Sequence, residues 1–303
     1  MNKLLVIVGP TAVGKTEIAI EVAQLIDTDI ISADSRQFYK ELNIGVAKPT
    51  EDQLAKVKHH FINSISVTDE YNVGMFEKDS LDCLAEIYSS NNCAVMVGGS
   101  GLFIRAVCEG LDDLPDGNKE VRERLNNEFE KNGVEYLSGK LKEVDIEYYN
   151  EVDVFNHRRI IRALEVYELT GHKFSSFRNG NKTQRPFEVH KIGLDLDREV
   201  LYERINKRVD LMIENGLIEE ARNLYPQKNL SSLQTIGYTE LFDFFDGNIS
   251  EDEAIDLIKQ NSRKYAKRQM TWFRKDKDIE WFDPQNKEAI IKYVRSTFSN
   301  YSA

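Results

Sequence analysis

Gly9-Pro10-Thr11-Ala12-Val13-Gly14-Lys15-Thr16 follows directly on the apolar run Leu4-Leu5-Val6-Ile7-Val8. The octapeptide is a complete GxxxxGK[ST] phosphate loop. In such a loop backbone N–H groups wrap a di- or triphosphate, the lysine reaches the outer phosphates, and the hydroxyl residue can hold Mg²⁺. The apolar run reads as a buried strand. Residues 18–23 suit a helix whose positive N-terminus faces the same anion. A strand before and a helix after are what separate this loop from a chance glycine-rich turn. The chain is therefore expected to bind a phosphorylated ligand through residues 9–16, with Thr16 as the candidate Mg²⁺ ligand. The loop alone leaves ATP, GTP and other diphosphates open.

Outward from the loop, short apolar strands alternate with helical stretches. Residues 3–8, 29–32 and 93–97 read as buried strands, and 17–26, 74–90 and 101–109 as helices. That order predicts a parallel sheet with crossover helices. Residues 111–119 (LDDLPDGNK) form a turn-rich boundary, after which the pattern is helical to about residue 180. Residues 174–185 are polar and loop-like, with the turn signal Asn179-Gly180. A strand returns at 189–194, helices follow at about 198–214, 216–225, 238–245 and 251–274, and 279–282 reads as a last strand. The predicted architecture is α/β: a P-loop NTPase-like parallel-sheet core, residues 1–111 and 187–303, interrupted by a helical insertion at 112–186.

Bulk properties bound the function. At 41% hydrophobic and 30% charged residues the chain has the balance of a soluble globular protein. No apolar run approaches the roughly 20 residues of a membrane span, and the N-terminal run is too short for a signal peptide. Cys83, Cys93 and Cys108 lack metal or redox spacing and read as buried, reduced thiols of a cytosolic protein. His59-His60, beside Lys56 and Lys58, reads as a solvated loop rather than a metal site. A net charge of −11 argues against broad nucleic-acid affinity, but its distribution does not. Residues 155–191 carry a net +5 and residues 259–277 a net +7, leaving −23 on the rest. Such a body can bind a polyanion locally and repel it elsewhere.

Four stretches carry candidate chemistry. Ile30-Ile31-Ser32-Ala33-Asp34-Ser35 is a strand ending in a carboxylate. Ligands of open parallel sheets sit beyond the carboxyl ends of strands, so Asp34 is expected to face the phosphate loop. General base, Mg²⁺ ligand and turn cap all remain open for it. Gly98-Gly99-Ser100-Gly101 is a second place where backbone and a hydroxyl can approach a ligand. On the 198–214 helix, Arg208 projects from a stripe of Leu201, Ile205 and Met212. A charge there is expensive unless paired, which leaves a guanidinium reaching a diphosphate or a structural ion pair. On the 157–170 helix, Ile160, Leu164 and Tyr167 form the apolar stripe, and Arg158 and Arg162 lie on the far side with Glu165. These arginines are either a solvated face or nucleic-acid contacts. Lys267 and Arg268 interleave with Tyr265, Trp272 and Phe273, a mixture that suits phosphate contact and base stacking.

Assembled in this order, the pieces resemble the tRNA dimethylallyltransferase (isopentenyltransferase) family. The matching stretches are GPTAVGKT (9–16), ISADSRQFYKELNIGVAKP (31–49), VGGSGLF (97–103), RRIIRALEVYELTG (158–171), LQTIGYTEL (233–241) and AKRQMTWFRKD (266–276). They span nearly the whole chain. Ser100 stands where threonine is usual, and Val46 replaces the threonine of the usual GTAKP. The resemblance implies that the phosphate loop holds dimethylallyl diphosphate, and that the acceptor is N6 of adenosine 37 in tRNAs reading codons that begin with U. Asp34 would take the N6 proton, and Lys15, Thr16, Arg208 and Mg²⁺ would stabilise the leaving diphosphate. The family flips the target base to reach its channel. Asp34, Ser35, Arg36 and Gln37 would contact that adenosine. Ser100, Arg122, Arg158, Arg159 and Arg162, with Ile160 and Ile161 between them and Lys267 and Arg268 near the C-terminus, would hold the anticodon stem-loop. The resemblance further implies a cytoplasmic, monomeric enzyme with no membrane and no obligate protein partner. The competing reading is a small-molecule or nucleotide kinase that uses ATP at the same loop.

Overall fold

A computed structural model describes residues 1–178 and 183–298; Asn179, Gly180 and Lys182 fall outside the described residues. The chain divides into two compact units, residues 1–108 with 185–303, and residues 109–184.

The first unit begins with β1 (Asn2–Val8), α1 (Lys15–Leu25), β2 (Ile30–Ser32), α2 (Glu51–Lys56), β3 (His59–His60), α3 (Val73–Ser90), β4 (Cys93–Gly98) and α4 (Gly101–Glu109). Its strands join later ones in a six-stranded, wholly parallel sheet ordered β3-β2-β4-β1-β5-β6, where β5 is Phe187–Leu194 and β6 is Ile279–Phe282. The phosphate-loop strand β1 is central, and its successor β2 is not its neighbour because β4 lies between them. Helices cover both sheet faces, so the strand is a continuous apolar run. Leu5 and Ile7 pack with Ile18, Val22, Ile290 and Val294 on one face. Leu4, Val6 and Val8 pack with Phe76, Leu84, Ile104 and Val107 on the other. The alternation of side chains along β1 thus divides one hydrophobic stretch between two cores.

The second unit contains α5 (Lys119–Val144, interrupted at Gly133), α6 (Ile146–Glu151), α7 (His157–Thr170) and α8 (Phe174–Phe177). Asn118, Asp145 and Asn156 cap the first three through their side chains. Their core gathers Leu125, Leu137, Leu141, Ile160, Ile161 and Leu164. Ile160 and Ile161 are 0% and 4% exposed, so their side chains are core and make no tRNA contact, contrary to the expectation above.

After β5 the first unit continues with α9 (Arg198–Glu214), α10 (Leu217–Leu224), α11 (Thr239–Phe245) and α12 (Glu251–Phe273), and ends with α13 (Lys287–Phe298) after β6. Helix α13 was not anticipated from sequence, although its Ile290, Val294 and Phe298 close one face of the sheet. His59-His60 is a half-buried edge strand rather than a solvated loop. Pairing with β2 orders it, and His60 Nε2 lies 2.8 Å from Asp29. Among the described residues no helix is long and apolar enough to cross a membrane, and the three cysteines are buried and free.

Candidate active site

The carboxyl ends of β1, β2 and β4 meet at one crevice, as the doubly wound topology requires. Gly14 adopts φ +105°, a conformation a side chain would strain, and releases the chain from the phosphate loop into α1. Lys15 Nζ donates to the carbonyls of Gly9 and Pro10 at 3.0 and 2.7 Å. Burial pulls its pKa from 10.5 down to about 7; the Asp34 charge opposes this and Arg208 adds to it.

Two cavities share this crevice. One, of about 370 Å³, is lined by Gly14, Lys15 and Thr16 together with Ser32, Gln37, Lys48 and Gly98. The other, of about 510 Å³, is lined by Ser35, Arg36 and Arg268 and by the apolar side chains of Ile205, Val209, Met212 and Ile258. Thr11, Ala12, Asp34, Val46, Arg208 and Tyr265 line both, so the two spaces meet where the acid and the buried-helix arginine stand.

Asp34 accepts the Arg36 N–H on Oδ1 at 3.0 Å, the turn cap foreseen for it. This role leaves Oδ2 for chemistry. Arg208 is half-buried, beside a stripe of Leu201, Ile205, Val209 and Met212; Val209 takes the core position and the guanidinium faces the cavities. Burial lowers its pKa against the opposing Asp34 charge. Arg208 makes no carboxylate contact within ion-pair distance among the described residues, so the structural ion pair left open above is absent.

The remaining expected site residues separate. Ser35 N donates to Ser100 Oγ at 3.1 Å, joining the 31–37 segment to the glycine-rich turn after β4. Tyr265 shares a side-chain hydrogen bond with Ser100, and burial beside Asp34 raises its pKa to about 12, so the phenol stays protonated. Arg36 donates to the Ser232 carbonyl at 2.9 Å, which ties the segment to the chain before α11. Gln37 lines only the phosphate-side cavity; its Nε2 donates to Val46 and Ala47 at 3.3 and 3.2 Å. Arg268 lies over Tyr265 at 5.7 Å and lines the larger cavity. Lys267, one residue earlier on α12, lines a different cavity with Arg198 and Arg274. Consecutive helical residues point about 100° apart, which is why the two line different cavities.

In the insertion, Glu165 is fully buried rather than on a solvated face. It accepts from Arg162 at 2.7 Å, Arg122 at 3.0 Å and the Asn118 N–H at 2.8 Å. Arg122 and Arg162 are therefore structural cations held by one acid. Arg158 and Arg159 are exposed.

Sequence reasoning missed Gln269. This 6%-exposed side chain accepts from Thr11 N at 2.8 Å and donates to Gly99 O at 3.0 Å. A Cβ on Gly99 would stand 2.1 Å from its Nε2, so the glycine is needed for the approach. The available signal was a polar residue four before the core Phe273 on the same helix face.

The geometry can be set beside known proteins. Residues 37–276 match the model of the IPP transferase family. The chain belongs to the IPP transferase family. A tRNA dimethylallyltransferase of Christiangramia forsetii is 55% identical over 296 residues, 97% of this chain and 98% of that one. The structure of a full-length tRNA isopentenylpyrophosphate transferase from Bacillus halodurans aligns with a TM-score of 0.74 at 37% identity, over 99% of this chain and 98% of that one. A tRNA delta(2)-isopentenylpyrophosphate transferase from Staphylococcus epidermidis aligns at 0.71 and 31% identity, over 99% of each chain. In this IPP transferase, the α/β core with its phosphate loop is the family's fold.

Proposed function

We propose that the protein transfers the dimethylallyl group of dimethylallyl diphosphate to N6 of adenosine 37 in tRNAs reading codons that begin with U. The observation that carries the reading is the meeting of two cavities at Asp34 and Arg208, one lined by phosphate-loop residues and one with an apolar wall. The diphosphate sits against Lys15 and the loop amides, and the five-carbon group extends toward Ile205, Val209 and Met212. N6 attacks the allylic carbon, the carbon–oxygen bond breaks, and diphosphate leaves with both electrons of that bond. Asp34 Oδ2 receives the N6 proton. Arg208, which has no carboxylate within ion-pair distance among the described residues, stabilises the charge that grows on the leaving oxygen.

The residues at this site would suit Mg²⁺ held mainly by substrate oxygens and water. Among the described residues no cluster of three His, Cys, Asp or Glu side chains is present. Mg²⁺ keeps several waters and needs only one or two protein oxygens beside substrate phosphates. Thr16, in the wall of the phosphate-side cavity, would supply one such oxygen. Bound there, the ion would neutralise charge on the diphosphate.

Arg158 and Arg159 of the insertion, and Arg268 with Ser35 beside the larger cavity, are the proposed tRNA contacts. The kinase reading has less support, because a tRNA dimethylallyltransferase is 55% identical to this chain over nearly its whole length. The test incubates the chain with labelled dimethylallyl diphosphate, Mg²⁺ and an anticodon stem-loop carrying adenosines at positions 36 to 38. Labelled RNA, with no ATP turnover in a parallel assay, is the expected result. ATP turnover without labelled RNA would overturn the reading.

A further inference from the structure

Phe155 is 74% exposed, the most exposed aromatic side chain among the described residues. Single exposed apolar residues are ordinary, and exposure alone means little. Here hydrogen bonds also hold the backbone that carries the ring. Phe155 N donates to Asp153 Oδ1 at 3.1 Å, Asn156 N to Asp153 O at 2.9 Å, and His157 N to Phe155 O at 3.1 Å. Asn156 then caps α7, accepting from Arg159 N at 3.3 Å. His157 on the other side is stacked on Phe129, with ring centres 4.3 Å apart and planes at 9°. The backbone of the turn before α7 is thus held at both ends, and among the described residues Phe155 has no ring contact.

The charges around it are asymmetric. Arg158 and Arg159 begin α7 directly after the turn and are exposed. No ion pair or hydrogen bond engages either guanidinium among the described residues. The nearby Glu151 is paired with Arg178. Asp153 lies in the turn itself, and its Oδ1 accepts the Phe155 N–H.

We propose that Phe155 is a stacking platform for an unpaired base of the tRNA substrate, with Arg158 and Arg159 on the flanking phosphates. The proposal rests on the tRNA reading above and deepens it. Protein recognition of RNA loops combines an aromatic face for a splayed base with cations for the backbone. The ring has only two side-chain torsions to order on binding, so the cost is small. A duplex has no free base face to offer, so the platform selects a single-stranded segment.

The test measures affinity of the full chain for an anticodon stem-loop across a salt series. Phe155→Ala should weaken binding about tenfold, with the slope of log affinity against log salt unchanged. Phe155→Trp should keep the affinity and show indole fluorescence quenched by the RNA. Arg158→Ala with Arg159→Ala should reduce the salt slope by about 1 to 2. Tyr136→Ala, at an exposed aromatic on α5, serves as the control and should change nothing. Unaltered affinity in Phe155→Ala, or unquenched fluorescence in Phe155→Trp, overturns the platform alone. Failure of the unsubstituted chain to bind RNA overturns the tRNA reading and the platform with it. Loss of self-association in Phe155→Ala, with RNA affinity intact, assigns the ring to a second copy of this chain and overturns the proposal.

Discussion

The Gln269 side chain accepts the backbone N–H of Thr11 at 2.8 Å, so an α12 residue 258 positions away shapes the phosphate loop. Its amide nitrogen simultaneously donates to Gly99 O. The loop and the turn after β4 are therefore held at one distance by a single planar amide. It also means that the Thr11 N–H is engaged within the protein, leaving the amides further along the loop for the ligand.

Gln269→Ala strands the buried Gly99 C=O and frees the part-buried Thr11 N–H at the cavity wall. The orphaned carbonyl costs about 1–3 kcal/mol. The melting temperature should fall, and KM for the diphosphate donor should rise more than kcat falls. Gln269→Glu keeps the acceptor for Thr11 but turns the donor at Gly99 into a second acceptor, beside a site for an anion. It should lose more activity than the alanine variant. Steady-state kinetics on the two variants check the order.

Asp34→Asn is close to isosteric and still accepts from Arg36 N, so the turn survives. It cannot take a proton from N6. Single-turnover transfer should fall by about 10²–10⁴, while RNA affinity stays within about threefold. Full activity in this variant would remove the general base from the mechanism.

The fold was legible because its decisive signals are local. A strand, a phosphate loop and a helix occupy the first 25 residues, and β1 reads as buried because both its faces are covered. Asp34 and Arg208 were legible for different reasons, one by its place at a strand end and one by being charged beside an apolar stripe. Arg162 and Ile161 show where the reading stops. A helical wheel places a residue on a face, but the partners of that face come from other elements. Glu165 looked solvated until Arg122 and Asn118, both more than forty positions earlier, were seen to close over it. Gln269 was illegible for the same reason, since both its partners lie far off in sequence. Helix α13 follows a short polar link, and its docking on α1 carries no local signature.

Arg208 is a cation in a cavity wall with burial against it and no carboxylate in contact. Such a group costs folding stability and is kept for its ligand. Arg208→Gln should therefore leave the melting temperature unchanged or higher, while kcat/KM for prenyl transfer falls by about 10²-fold. Arg208→Lys keeps the charge without the two-pronged guanidinium and should fall between them. A large loss of stability in Arg208→Gln would make the residue structural instead.

Glu165 links acidity to the insertion. Burial pushes its carboxyl upward, but hydrogen bonds from Arg162, Arg122 and the Asn118 N–H outweigh this, and the pKa lies below its ordinary 4.5. A carboxyl whose folded pKa is depressed adds stability that is complete above the unfolded value and is lost as pH falls through the folded one. Acid should therefore loosen the α5–α7 packing only at pH values below the ordinary glutamate range. Hydrogen exchange of amides in residues 119–170, followed as a function of pH, is the measurement. Glu165→Gln removes the charge but keeps a hydrogen-bond acceptor, and it leaves Arg122 and Arg162 without a counter-ion. Because Arg122 remains half-exposed to water, the cost should be about 2 kcal/mol, below the range for a fully buried broken pair. In that variant the acid-dependent step in exchange should shrink to the part carried by Glu128, whose carboxyl Lys140 and Arg124 also hold low. Persistence of the full step in Glu165→Gln would place the acid-sensitive group elsewhere in the insertion.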